Sequence, residues 1–536
     1  MFRRFMAFLF LFVAVNALWH CARRGSPSGG PKDISPPTLL RTEPDSMTTN
    51  FKASRIRLYF DEFIKLQDIQ DQLIVSPPLK YQPEIKPQGG ASKYVEFKFK
   101  DTLKENTTYT LNFGQSVQDN NEGNPSSFLT YVFSTGDYID SLELSGAVRD
   151  AYKKKADEFI SVMLYEIDTA YTDSTIFKKP PNYITNTLDS TVIFNLRNLK
   201  EGNYTLFALK DEAKNNVFDQ NVDKIAFLQD TISLPTDSTY VLTLFKEVPN
   251  YSAVVPSFAA KNKIIFGFYG SLKDVSIAPI TNLPDTVRTK ILRDGDKDSL
   301  NYWLTPFEMD SIVFKVTNET LKVVDTFTVK SRKVGIDSLR LNPNQRGSLS
   351  FNEPFYIEAN TPLTEIDTTK ITMVDQDSLA IPYTAKLDTL ENRVDLDFSI
   401  EPNQNYRMNF LPGAITDFFG ETNDTLDYGL STQSYADFGN LTFNLEEATY
   451  PVIVQLTDEQ GKVFQEIIAT EPQAFEFNNI EPATYLVRVI FDSNGNGKWD
   501  TGDYLEKRQP ERISYYPDRI EIRANWEKIE TFTIAD

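Results

Sequence analysis

The chain repeats itself at long range, and this self-similarity constrains its fold more than any other feature of its 536 residues. In residues 36–136, Ile56, Leu58 and Phe60 alternate in RIRLYFDEFI. A turn at Leu103-Lys104-Glu105-Asn106-Thr107-Thr108-Tyr109 leads into TYTLNF, a polar loop occupies Asp119 to Pro125, and Phe133-Ser134-Thr135 closes the stretch. Residues 336–432 carry the same order. Phe355, Ile357 and Ala359 alternate, Glu401-Pro402-Asn403-Gln404-Asn405-Tyr406 leads into RMNF, Asp417 to Asn423 form the loop, and Leu430-Ser431-Thr432 ends it. A second pattern follows each copy. In residues 144–247 it is Phe194-Asn195-Leu196, a turn and Tyr204, then TLFALKDEAKNNVFD. In residues 438–536 it is Phe475-Glu476-Phe477, Ile480, a turn and Tyr485, then LVRVIFDSNGNGKWD.

Alternation of apolar and polar residues between turn-forming clusters is the signature of half-buried strands. The 39 Phe and 25 Tyr add strand-favouring residues. A chain this long exceeds one hydrophobic core. The expected fold is all-β, a series of tandem antiparallel β-sandwich domains. Its parts are 36–136, 144–247, 336–432 and 438–536, with a β-rich insert at 248–334 whose strands are suggested by IIFGFYGSL and SIVFKV.

The first pattern resembles the bacterial Ig-like domain of surface-layer and adhesin-type proteins, and 336–432 reads as a divergent second copy. The second pattern resembles transthyretin-like or collagen-adhesin-B-type sandwiches.

Composition removes several function classes. The net charge is −20, from 55 basic and 75 acidic residues, which disfavours a phosphate backbone as partner. The single Cys is Cys21 and the single His is His20. If processing falls between them, the mature chain holds no His and no free thiol. Disulfides, Ser-His-Asp and Cys-His catalysis, and zinc sites built on His or Cys then drop out.

The amino terminus reads as an export signal. Arg3 and Arg4 precede an apolar run from Phe5 to Val15, too short for a spanning helix of about 20 residues. Cys21 is the expected lipidation site, making residues 1–20 a lipoprotein signal peptide. Leu18 fits the usual cleavage box, whereas Trp19 and His20 do not. Cleavage after Ala17 by an ordinary signal peptidase is the rival. The Gly-, Pro- and Ser-rich stretch from Cys21 to Asp33 is similar to the mature start of Gram-negative outer-membrane lipoproteins that carry a bacterial Ig-like domain. Residues 21–35 then form a flexible tether reaching at most about 50 Å. The resemblance implies an outer-membrane anchor. The basic start Ala22-Arg23-Arg24, lacking the acids usual on surface-directed relatives, favours the periplasmic face over the cell surface.

One loop has metal-ligand spacing. In the segment from Asp492 to Asp503, oxygen side chains stand at Asp492, Asn494, Asn496, Asp500 and Asp503. Gly497 takes the sixth place, and Lys498 would offer its backbone carbonyl. This approaches an EF-hand loop for a structural Ca²⁺, although the twelfth residue is Asp rather than Glu and strands flank it. The alternative is an Asx- and Gly-rich turn without an ion. In the earlier copy Asp211, Asn215 and Asp219 persist, while Ala213 and Asn216 replace a ligand and the glycine. That copy is expected to bind nothing, or to bind weakly.

Sixteen triplets read Asp, Ser or Thr, then an aliphatic residue, Met or Thr, among them Asp140-Ser141-Leu142, Asp310-Ser311-Ile312 and Asp424-Thr425-Leu426. They suit turns that open strands and also resemble the O-glycosylation triplet of one group of Gram-negative bacteria. No catalytic residue emerges. The leading expectation is a non-catalytic, lipid-anchored envelope scaffold or adhesion-like binding module. One alternative is glycan binding through Trp303, Trp499 or Trp526. Another is a carboxylate-dependent glycoside hydrolase using acids such as Asp61, Glu62, Asp395 and Asp397. No partner beyond the membrane anchor can be named from the sequence.

Overall fold

A computed structural model describes residues 32–126, 129–187, 192–295 and 297–534. Cys21, the signal segment and most of the tether lie outside them. The chain is almost entirely β, with short helical turns such as Ile69–Gln72 and Thr175–Phe177. It separates into two compact units. One ends at Ser141 and takes in Arg197–Leu199, and the other holds the rest from Leu142 onward.

In the first unit, the alternation at Ile56, Leu58 and Phe60 produces the long strand Arg55–Leu66, whose three residues are buried. It lies between Leu39–Glu43 and Ser92–Lys98 in one antiparallel sheet, and Thr108–Asn112 lies between Ile74–Ser76 and Thr130–Ser134 in another. Phe97, Leu111 and Phe133 fill the space between them.

Residues 341–431 repeat this plan. Phe355–Ala359 sits between Leu341–Pro343 and Arg393–Phe398, and Asn405–Phe410 between Ile371–Val374 and Leu426–Ser431. The repeated turn has the same cause in both copies. Tyr109 Oη accepts the Lys104 N–H at 2.9 Å and Tyr406 Oη the Glu401 N–H at 2.6 Å. Asn106 and Asn403 adopt left-handed φ of 47° and 56°, which Asn tolerates better than most residues. Ig-like modules therefore stand in tandem along the chain.

The pair at 142–247 and 438–536 also shares one topology. In each, the first and last strands run parallel: Leu142–Asp150 with Tyr240–Leu244, and Gly439–Glu446 with Glu527–Thr533. A larger antiparallel sheet faces them, centred on Gly202–Lys210 in one and Thr484–Phe491 in the other. Residues 248–334 form two further sheets, around Lys263–Tyr269 and Ser311–Asn318, over a core of Phe266, Tyr302 and Phe314. Below, the groups of sheets within 39–134, 142–244, 252–330, 341–431 and 439–533 are called the first to fifth sandwiches in chain order. The triplet residues Ser141, Ser311 and Thr425 each stand at or one place before the start of a strand, as the turn reading requires.

Within the second unit, contacts pass from sandwich to sandwich in a closed circuit. Gln220 of the second bonds Glu247 and Asn250 at the entry to the third. The third meets the fourth through Arg288 to the Phe418 carbonyl and Trp303 against Phe419. Asn352 of the fourth donates to the Asn478 and Asn479 carbonyls of the fifth. The fifth then returns to the second.

Candidate functional site

The strand Thr484–Phe491 runs into the predicted ion loop. Asp492 is 1% exposed. Its two carboxylate oxygens accept the Asn496 and Gly497 N–H groups at 3.1 and 2.7 Å. Gly495 and Gly497 take φ of 70° and 75°, the left-handed region open to glycine. Asn494 and Asn496 both aim their side-chain amides at Asp500 Oδ2. Lys498 donates its backbone N–H to Asn496 Oδ1 at 2.8 Å. Asp492, Asn494, Asn496, Lys498 and Asp500 are thus drawn into one tight loop.

Asp503 is placed elsewhere. Its carboxylate accepts the Glu506 N–H and its backbone pairs with Arg508, so it closes the next turn rather than the ion loop. The carboxylate that braces the loop is Glu511, which the sequence reading missed. Its Oε1 accepts the Ser493 N–H and its Oε2 the Asp500 N–H, at 2.7 and 3.0 Å.

The earlier copy has the same skeleton. Asp211 accepts the Asn215 and Asn216 N–H groups, at 3.3 and 2.7 Å. Asn216 adopts φ of 59° where Gly497 stands, and Lys214 adopts 53° where Gly495 stands. Asp223, fully buried, accepts the Glu212 and Asp219 N–H groups at 2.9 and 2.8 Å, as Glu511 does in the later copy. Burial pushes the Asp223 carboxyl up. The two loops share a backbone and its carboxylate braces, and among the ligand side chains they differ at Ala213 against Asn494.

Between the ion loop and the next strand, Ile513–Tyr515, the later copy carries a segment, 501–509, that docks on the second sandwich. Tyr504, 2% exposed, lies among Phe207, Phe227 and Phe177, with ring centroids 5.2, 5.3 and 6.2 Å away. Its N–H donates to buried Glu247 at 2.5 Å, and the Thr501 hydroxyl donates to the Lys246 carbonyl. Lys507 pairs with Asp173 at 2.8 Å. Gln509 donates to the Phe227 carbonyl, and Gln229 to that of Lys507. A Cβ on Gly502 would come within 2.6 Å of the Phe245 ring, so this approach requires glycine. Burial pushes the Glu247 carboxyl up, while the hydrogen bonds from Tyr504 and Gln220 pull it down.

The other candidates are placed as follows. Asp61 accepts the Thr38 N–H, and Asp395 pairs with Arg393 at 2.8 Å. Burial, reinforced by Asp119, Asp61, Asp33 and Glu122, pushes the Glu62 carboxyl up. Trp303 is buried, Trp499 packs on Tyr152 at 4.9 Å, and Trp526 is 57% exposed beneath Arg523. Among the described residues, no cluster of three or more His, Cys, Asp or Glu has metal-binding geometry, and no helix is long and apolar enough to cross a membrane.

Residues 33–135 match the family model of the bacterial Ig-like domain. That match covers the first sandwich. No curated protein matches the chain. Among solved structures, domains 1–6 of the surface layer protein SbsC align at 10% identity over 90% of this chain and 67% of that one, with a TM-score of 0.14. The Bacteroides ovatus mixed-linkage glucan utilization locus protein SGBP-B, in complex with a mixed-linkage heptasaccharide, aligns at 10% identity over 70% and 94%, with a TM-score of 0.18. The BSP domain of a biofilm associated protein aligns at 8% identity over 96% and 100%, with a TM-score of 0.16.

Proposed function

We propose that this chain is a non-catalytic, lipid-anchored protein of the bacterial cell envelope, in which tandem sandwiches form a scaffold or binding module. The supporting observation is the docking of residues 501–509. A scaffold must hold its modules in fixed relation, and a buried Tyr504 with a Glu247 anchor does this between the fifth and second sandwiches. The acids that a glycosidase could use at Asp61 and Asp395 are instead tied to a backbone N–H and to an arginine. Cys21 is the proposed lipid anchor, in the outer membrane with the chain on its periplasmic face. Transthyretin-like architecture is the proposed ancestry of the second and fifth sandwiches.

The test is fatty-acid labelling combined with fractionation. The wild-type chain should take the label and sediment with outer membranes. Cys21→Ala should lose the label and either move to the soluble fraction or stall unprocessed. Protease shaving of intact cells should leave the chain whole. An unlabelled wild-type chain, or hydrolysis of an envelope glycan by the purified protein, would overturn the corresponding part of the reading.

The loop from Asp492 to Asp500 is the proposed site of a structural Ca²⁺. Two carboxylates, the amide oxygens of Asn494 and Asn496 and the Lys498 carbonyl are the hard oxygen donors this ion takes. Both amides now turn their nitrogens to Asp500 Oδ2; half a turn of each amide presents its oxygen instead and releases the Asn496 and Lys498 N–H groups that those oxygens now accept. Asp503 is withdrawn from the ligand set, because its carboxylate closes the next turn.

A further inference from the structure

A cleft of about 520 Å³ is lined by residues of the second and fifth sandwiches. Its floor includes Arg488, which is 1% exposed. The guanidinium donates from Nε to Gln455 and from Nη2 to the Tyr152 hydroxyl, with a long 3.5 Å contact from Nη1 to the Tyr515 hydroxyl. It lies 4.1 Å above the Tyr152 ring. Among the described residues, no carboxylate lies within 4.0 Å of it; Gln455 stands between it and Glu466. A guanidinium has five N–H donors, so two remain unused. A buried cation with no anion beside it carries a desolvation cost that a matching carboxylate would offset.

The walls repeat this imbalance. The acids of the cleft are already engaged. Asp157 pairs with Lys224 at 2.6 Å, Glu158 with Lys155 at 3.1 Å and Glu459 with Arg519 at 2.6 Å. Asp458 accepts the N–H groups of its own turn, from Gln460 and Lys462. The cations differ. Lys154 donates to the carbonyls of Tyr516 and Pro517, and Lys210 to that of Glu158. Among the described residues, Lys153, Lys154, Lys210 and Arg488 have no carboxylate within ion-pair distance. In a chain of net charge −20, four cations left unpaired around one cleft mark it for an anion.

We propose that this cleft binds an acidic sugar, a uronate whose carboxylate meets the Arg488 fork while its hydroxyls meet the Tyr152 and Tyr515 hydroxyls. A planar guanidinium matches a planar carboxylate with two parallel hydrogen bonds. The volume is in the range of small-ligand sites, and beside the cations the Tyr152 and Tyr515 hydroxyls are the groups that can meet a sugar's hydroxyls. This site shares no residue with the ion loop, although Trp499 of that loop packs on Tyr152.

Calorimetric titration of the intact protein with glucuronate, glucose and inorganic phosphate is the test. Glucuronate should bind, glucose should not, and phosphate should bind at least about tenfold more weakly. Arg488→Gln should remove glucuronate binding. Because that residue is buried, Lys153→Ala combined with Lys154→Ala provides a second, exposed variant. It should fold normally and bind about tenfold more weakly, with a shallower dependence on salt. No heat with millimolar glucuronate, or equal binding of glucose, would overturn the proposal. Phosphate binding as tight as glucuronate would overturn the sugar and leave a bare oxyanion site.

Discussion

Asp492 and Asp211 do the same work in two settings. Each carboxylate holds two consecutive backbone N–H groups and so fixes the loop that follows its strand. Hydrogen bonds to a charged acceptor are the stronger kind, and losing one partner leaves the other stranded. Replacing either aspartate with alanine should therefore lower stability by about 2 kcal/mol in chelator, read by chemical denaturation. The two should part when Ca²⁺ is added. The wild type should melt at higher temperature in millimolar Ca²⁺, because an ion that binds only the folded state stabilises it by mass action. Mg²⁺ should substitute poorly, because it gives up its waters reluctantly. Asp492→Ala should lose the Ca²⁺ shift and Asp211→Ala should keep it. If both variants keep it, the ion is bound elsewhere.

Glu247 gives a second expectation at this scale. Burial holds its carboxyl above the ordinary glutamate range, and burial does the same to Asp223. The folded state thus retains protons there that the unfolded state has released. Stability from these groups is complete below the ordinary carboxylate range and falls as pH rises through the raised values. The melting temperature should decline across that window towards neutrality. Glu247→Gln should make the decline shallower, and an unchanged slope would refute the assignment.

At the scale of elements, the segment 501–509 matters most. Tyr504 fills an aromatic pocket of Phe207, Phe227 and Phe177, and truncating a buried aromatic typically costs about 3 kcal/mol or more. Tyr504→Ala should reduce the stability of the second unit by about that amount and open the 501–509 segment to trypsin at Lys507 and Arg508. Gly502→Ala should have a similar consequence through Phe245. Unchanged proteolysis in both variants would show that the docking contributes little.

The sequence carried the strands, the paired repeats and the loop from Asp492 to Asp500, because each is written in local spacing: period-two alternation, a turn before Tyr109 or Tyr406, and Asx residues at 492, 494, 496 and 500. It did not carry Glu511. The bracing acid comes four residues after Asp219 in one copy and eleven after Asp500 in the other, since the docking segment is inserted between them. The usable signal was position relative to the next strand: Asp223 immediately precedes Lys224–Phe227, and Glu511 stands two before Ile513–Tyr515. The docking itself was invisible for a different reason. Tyr504 and Gly502 read as ordinary loop residues, and the surface that receives them lies more than 250 residues earlier in the chain. Nor did spacing reveal the Arg488 cleft, which exists only once Tyr152 and Tyr515 are brought together.

At the scale of the molecule, the second unit is held by contacts between sandwiches distant in sequence as well as by the chain that links neighbours. A string of independent modules would melt one by one, each with its own midpoint. In a closed circuit the modules share stability, because the second sandwich buries Phe207, Phe227 and Glu247 in part against Tyr504 of the fifth. Removing residues 438–536 should therefore act on a region the deletion does not touch. It exposes the aromatic pocket and leaves the Glu247 carboxylate without its Tyr504 N–H donor, so the 142–247 sandwich should melt at lower temperature, bind a hydrophobic dye and exchange the amides of Gly202–Lys210 faster. Hydrogen exchange read by mass spectrometry distinguishes this from loss of the fourth–fifth contact alone. The latter is confined to the surroundings of Asn352 and would leave Gly202–Lys210 as protected as before. Wild-type protection across that strand in the truncated chain would mean that the fifth sandwich rests on the second without supporting it.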